Sequence, residues 1–231
     1  GCTVSNAHAS GNGGAFFVGE GMSLSMTDCK ISDCSTKANG AAIFAYLDST
    51  VTLNNVEVSN CSAAQKGGSI FNAGTMTITG GSITGGQGAV GGNIYTKDSL
   101  TLSDITIDKG IATGGITIAE DGTVSGGDRT YGGGNIYMEQ GQLNIQEGTT
   151  IADGTTRFAN GGNLYVDVGA VNMTGGVISG GDSITNNKNA SGDYKCGGNV
   201  ALQSAAIFNI SSGTVTGGTA HEGGNIRVGH T

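Results

Sequence analysis

Apolar and polar positions alternate along this chain in short runs, and the runs recur in a fixed order. One set reads apolar, polar, apolar: Leu24-Ser25-Met26, Val51-Thr52-Leu53, Met76-Thr77-Ile78, Leu100-Thr101-Leu102, Leu143-Asn144-Ile145, Val171-Asn172-Met173 and Phe208-Asn209-Ile210. A second set centres on Val4, Ile31, Val58, Ile83, Ile107, Ile151, Ile178 and Val215. A third begins at Phe16, Ile43, Ile70, Ile94, Ile136, Leu164, Val200 and Ile226, each preceded by a glycine pair or a close variant. Period-two alternation puts the outer letters of each run on one face and the middle letter on the other, which predicts strands of about three to five residues.

The third set carries the period. Its glycine pairs, from Gly13-Gly14 to Gly223-Gly224, are spaced 27, 27, 24, 42, 28, 36 and 26 residues apart. The basic unit is therefore about 24 to 28 residues long, with two enlarged members. A strand this short cannot bury its apolar side alone. Stacked on its equivalent about 4.8 Å away, it pairs its backbone groups and builds a continuous core. The reading is all-β: a three-sided parallel β-helix of about seven to nine coils, forming a single domain over residues 1–231.

Composition agrees and narrows the function classes. Of 231 residues 45 are Gly and none is Pro, so corners can take positive φ while every backbone N–H remains available to a ladder. Charged residues make up 12% and the net charge is −8, with no basic cluster, which argues against a nucleic-acid partner. No apolar run is long enough to span a membrane as a helix. Residue 1 is a Gly in mid-pattern, so the sequence reads as a piece of a larger protein.

After five of the glycine pairs stands an asparagine: Asn93, Asn135, Asn163, Asn199 and Asn225, where the earlier units have Ala15, Ala42 and Ser69. Stacked amides that bond from unit to unit satisfy buried polar groups, so these residues are expected to form a structural ladder. One position further on from the apolar residue comes Phe17, Phe44, Phe71, Tyr95, Tyr137 and Tyr165, followed by Ala201 and Arg227. Alternation turns this column outward as an aromatic stripe. Tyr95, Tyr137 and Tyr165 are then candidate binding residues for sugar rings or a partner protein, unless the stripe is covered or the alternation slips and the rings stack inside.

Glycine-glycine-Ala/Asn-Ile units with Thr-rich short strands resemble the right-handed β-helix passengers of bacterial surface proteins, among them autotransporter adhesins and the polymorphic outer-membrane proteins with their GGAI repeats. The resemblance covers essentially the whole chain. It implies a right-handed coil, consistent with the usual hand of parallel crossovers. It also implies an extracellular or cell-surface adhesin segment, whose partners would be a host surface protein, a glycan or other segments of the parent protein. The alternatives are a carbohydrate-active β-helix and a passive spacer.

Catalytic chemistry has little footing here. Glycoside chemistry needs two converging acids, and no paired-acid strand motif stands out. Asp28, Asp33, Asp104 and Asp108 read as solvated corner residues, and His8, His221 and His230 lie near the two ends. No cofactor or metal site is assigned. The Gly86-x-Gly88-x-x-Gly91 string lacks the helix that a dinucleotide fingerprint needs. The outward Ser25, Thr52, Thr77, Thr101 column gives way to Asn, and the units are too unequal for an ice-binding lattice. Asn60, Asn172, Asn189 and Asn209 lie in glycosylation sequons, meaningful only if the source glycosylates.

Cysteines obey the repeat: Cys2 and Cys29 are 27 apart, as are Cys34 and Cys61, while Cys196 stands alone. Stacked positions are within reach of a disulfide, but unpaired core thiols are the preferred expectation. The two long units carry insertions at about 113–131 and 182–196, both before a glycine pair and hence at the same corner. Asp121-Gly122 between alternating runs predicts a hairpin in the first. With one ordinary unit between them, the insertions should emerge about 10 Å apart, two coil rises. Asp128, Arg129, Tyr131, Asp193, Tyr194 and Lys195 are the candidate binding residues of the notch they would form.

Overall fold

The computed structural model describes residues 1–114, 116–118, 124–126, 132–157, 159–183 and 197–229. Among them every regular element is a strand, wound into a parallel solenoid of about seven turns. The register of the sheets is the register of the sequence repeat. Ile43 pairs with Phe16 and Ile70, Ile94 with Ile70 and Ile136, and Leu164 with Ile136 and Val200, on to Ile226. The apolar-polar-apolar runs stack likewise, Leu24 on Val51, Met76, Leu100, Leu143, Val171 and Phe208. So does the column from Val4 through Ile31, Val58, Ile83, Ile107, Ile151 and Ile178 to Val215.

These three columns meet in one core. Ile31, Ile43, Val58, Ile70, Ile94, Leu100, Ile107, Ile136, Ile151, Leu164 and Ile178 are all fully buried. Each side chain touches its equivalents above and below, so apolar area is removed from water along the whole length of the coil at about 25 cal/mol per Å².

A fourth column exists that alternation did not predict. The two-residue strands His8–Ala9, Ser35–Thr36, Ser62–Ala63, Gln87–Gly88, Ile111–Ala112 and Thr155–Thr156 form a separate parallel sheet. Asp182 extends it as an isolated bridge to Thr155 and Thr219. Two residues are too few to show a period, and apart from Ile111 their side chains are small or polar, so no apolar signal marked them.

The chain reaches this column through a left-handed residue. Asn6, Asp33, Asn60, Lys109 and Asp153 have φ between 51° and 55°, with Gly85, Gly180 and Gly217 at the equivalent place. The preceding corner uses Asp28, Asn55 and Asp104 in the same way, at φ 52° to 55°. Asn and Asp tolerate this region better than other side chains. The acids of these corners are there for backbone conformation, and they bond along the stack: Asn55 Nδ2 donates to Asp28 Oδ1 at 2.7 Å.

Directly after the second left-handed residue, the column runs Ala7, Cys34, Cys61, Gly86, Gly110, Gly154, Gly181, Gly218. Facing it across the coil are Ala15, Ala42, Ser69 and then the five asparagines. Asn93 Nδ2 donates to Asn135 Oδ1 at 2.8 Å, Asn135 to Asn163 and Asn163 to Asn199 at 2.7 Å, and Asn199 to Asn225 at 2.9 Å. Each Oδ1 also accepts the N–H of its facing glycine, and the first four Nδ2 groups donate to a carbonyl as well: Asp108, Ala152, Ser179 and Thr216. Wherever the amide is present its neighbour is glycine, and wherever the neighbour carries a Cβ the amide is replaced by Ala or Ser.

Candidate functional site

Both insertions leave the coil at one corner. Ala112 O accepts from Arg157 N at 2.9 Å and Asn160 O from Gly133 N at 3.0 Å, so Arg157 and Asn160, at the two ends of an ordinary corner, pair with the flanks of the first insertion. On its other side Thr156 N donates to Asp182 O at 3.0 Å and Gly162 N to Gly197 O at 3.2 Å, the flanks of the second. Within the first, Ile116–Ile118 pairs antiparallel with Val124–Gly126, the hairpin that Asp121-Gly122 suggested. Asp128, Arg129, Tyr131, Asp193, Tyr194 and Lys195 lie outside the described residues, as do Cys196, Asn189 and His230.

The aromatic column sits beside this corner and requires a correction. Its rings do stack, with centroid separations of 5.2, 4.7, 4.9, 5.2 and 5.2 Å from Phe17 through Phe44, Phe71, Tyr95 and Tyr137 to Tyr165. Tyr95 and Tyr165 are 0% exposed and Tyr137 5%, against 59% for Phe17. Tyr95, Tyr137 and Tyr165 therefore offer no open platform. The rings form a second apolar cluster, separate from the main core, that includes Ala73 and Ala201 and against which Val90 packs.

A polar rim holds that cluster. Lys66 Nζ stands 4.5 Å from the Tyr95 ring centroid, donates to Tyr95 Oη at 2.7 Å and reaches Glu139 Oε2 at 3.3 Å. Stem and ring gain cation–π and apolar contact together, while the ammonium stays at the surface. Glu139 and Asp167 follow their tyrosines by two residues, so alternation puts them on the same face. Partial burial, then the Glu139 charge, push the Asp167 carboxyl above its ordinary range, and the Tyr137 hydroxyl bonded to it draws it partly back. Gln203 Nε2 donates to Tyr165 Oη. Sequence reasoning missed this rim, although the signal was present in the i+2 spacing.

The cysteines occupy two environments. Cys2 Sγ lies 2.9 Å from Cys29 Sγ, and Cys2 N–H donates to the same sulfur at 3.2 Å. The hydrogen bond from Cys2 Sγ to Cys29 Sγ lowers the Cys29 thiol and raises Cys2, and the Cys2 N–H lowers Cys29 further. Cys34 and Cys61 are buried, and burial pushes the Cys61 thiol up to about 12. All four are unpaired thiols.

Among the described residues no group of three or more His, Cys, Asp or Glu side chains could hold a metal ion. His8 Nδ1 is 2.8 Å from Ser35 Oγ in the fourth column. No helix among the described residues is long and apolar enough to cross a membrane. Comparison with protein-family models, with curated proteins and with solved structures finds no match to this chain.

Proposed function

We propose that this protein is a binding scaffold of the cell-surface or secreted adhesin type: a right-handed, three-sided coil that presents two loops from one corner to a host protein or a glycan. The observation that carries this reading is the common corner. In a lattice whose columns stay in register from coil to coil, the two enlargements are confined to one edge with a single ordinary corner between them. Long insertions cost little closure entropy, but their placement on one edge gives two variable segments a shared rigid base, the arrangement in which solenoids carry specificity.

The test replaces 113–131 and 182–196 by corners of the length of 157–160, singly and together. Far-UV circular dichroism and melting report the coil, and a glycan array with host-cell binding reports recognition. Binding by the intact chain that is lost in a folded double replacement supports the reading. A folded double replacement that binds undiminished overturns it.

A further inference from the structure

We infer that Cys2 and Cys29 form a redox-active dithiol, a site at which a small-molecule disulfide closes a covalent staple between the first two coils. The backbone already satisfies the geometry. Thr3 pairs in parallel with Lys30 immediately beyond the two cysteines, which sets the chains at the strand spacing of about 4.8 Å, inside the Cα window that a disulfide accepts. The sulfurs are in contact at 2.9 Å. Cys2 is exposed, and Cys29 lies directly behind it, 7% exposed.

The chemistry balances as two exchanges. In the pair that holds one proton, Cys29 Sγ takes it from Cys2, and the Cys2 thiolate attacks one sulfur of a disulfide RSSR. The external S–S bond breaks and one RS⁻ leaves. Cys29 then releases its proton to solvent and attacks the Cys2 sulfur, expelling the second RS⁻. Two protein thiols are oxidised to one disulfide, and RSSR is reduced to two thiol equivalents, one of which carries the released proton. The hydrogen bond from Cys2 stabilises negative charge on Cys29 and holds its thiol below the ordinary range.

Cys34 and Cys61 provide an internal contrast. They are the same 27 residues apart, but both are buried, and Cys61 is held in its thiol form by burial. They fill the corner column that glycine fills in later coils, which is a packing role. Of the two pairs, the first alone has an exposed member.

The experiment incubates the full chain, in a Cys196→Ala background, with graded ratios of glutathione and glutathione disulfide, followed by acid quench, alkylation and peptide mass spectrometry. The expected result is one transition to a Cys2–Cys29 linked peptide lighter by two hydrogens, with Cys34 and Cys61 alkylated only after unfolding. Melting should rise by several degrees across that transition. Cys29→Ser should trap glutathione on Cys2 as a stable mixed disulfide. The inference is overturned if no linked peptide forms at the most oxidising ratio, if Cys34–Cys61 links in the same transition, or if Cys29→Ser behaves as the parent does.

Discussion

Gly110 makes room for Asn135: its N–H donates to Asn135 Oδ1 at 2.9 Å, and a Cβ on Gly110 would stand 2.7 Å from that same oxygen. The hydrogen bond and the missing side chain are one relationship, repeated at Gly154 with Asn163 and at Gly181 with Asn199. Asn135→Ala leaves the Gly110 N–H buried without a partner, takes from the Ala152 carbonyl one of its two donors, the other being Lys109 N–H, and cuts the ladder on both sides. At about 1–3 kcal/mol for the unsatisfied N–H and about 0.5–1.5 kcal/mol for each of the other hydrogen bonds lost, the expected loss is about 3–5 kcal/mol, read from urea unfolding. A loss under about 1 kcal/mol would mean that water or relaxation replaces the amide.

The same complementarity is testable where the ladder stops. Ser69→Asn places an amide opposite Cys61 and is expected to destabilise by about 1–3 kcal/mol through overpacking. Adding Cys61→Gly restores the pairing seen at Gly86 and Asn93. The double variant should be more stable than the single. Additive losses would show that the two columns are independent.

Lys109 holds φ 53° in a column otherwise of Asn, Asp and Gly. Its ion pair with Asp108 is at the surface at 3.6 Å and contributes little. Lys109→Asn should raise stability by about 0.5–1 kcal/mol, because Asn tolerates the left-handed region. A lower melting temperature would assign Lys109 a contact that outweighs its backbone strain.

Cys61 gives an alkaline prediction. Its thiol rises from 9.0 to about 12 on folding, so across that interval the unfolded chain releases a proton that the folded chain keeps. Stability contributed by this group is complete below pH 9 and falls as pH rises toward 12. Cys61→Ala, which puts in this column the residue found at Ala7, should show a shallower decline than the parent in denaturant melts across that range. Equal slopes would show that the thiol ionises freely in the fold.

Asp167 gives the acid-side counterpart. Its carboxyl is raised by burial and by Glu139, so the folded chain binds the proton more readily than the unfolded one. Stability from this group is therefore gained as pH falls through its raised value toward the ordinary carboxylate range, and lost on the way up. Asp167→Asn should flatten that portion of the melting profile. The side chain is partly exposed, so solvent screening keeps the effect small. A steeper profile in the variant would reverse the assignment.

Much of this architecture was legible because stacking forces equivalent residues into register. Ile43, Ile70, Ile94 and Ile136 align by their glycine pairs in the sequence and by their hydrogen bonds in the fold. The fourth column of two-residue strands was not legible, since Ser35-Thr36 or Gln87-Gly88 has no period to detect. The covering of Tyr95 was hidden for a different reason: Lys66 and Glu139 lie 73 residues apart and meet only because two coil rises bring them together. Alternation reports the direction of a side chain along its strand and carries no information about what another coil lays over it.

The asparagine column has a consequence for the coil as a whole, because it points one way. Each Nδ2 donates to the Oδ1 of the following unit, from Asn93 to Asn225, and each Oδ1 is oriented by a glycine N–H that a flipped amide would meet with a second donor. No amide in the row can reverse without setting donor against donor at its own corner and at its neighbours'. Their dipoles consequently add and polarise one another, and the interior carries a built-in sense of direction from the fourth glycine pair to the last. The solenoid thus has an electrical axis as well as a geometric one, written by five side chains of which the first four are fully buried.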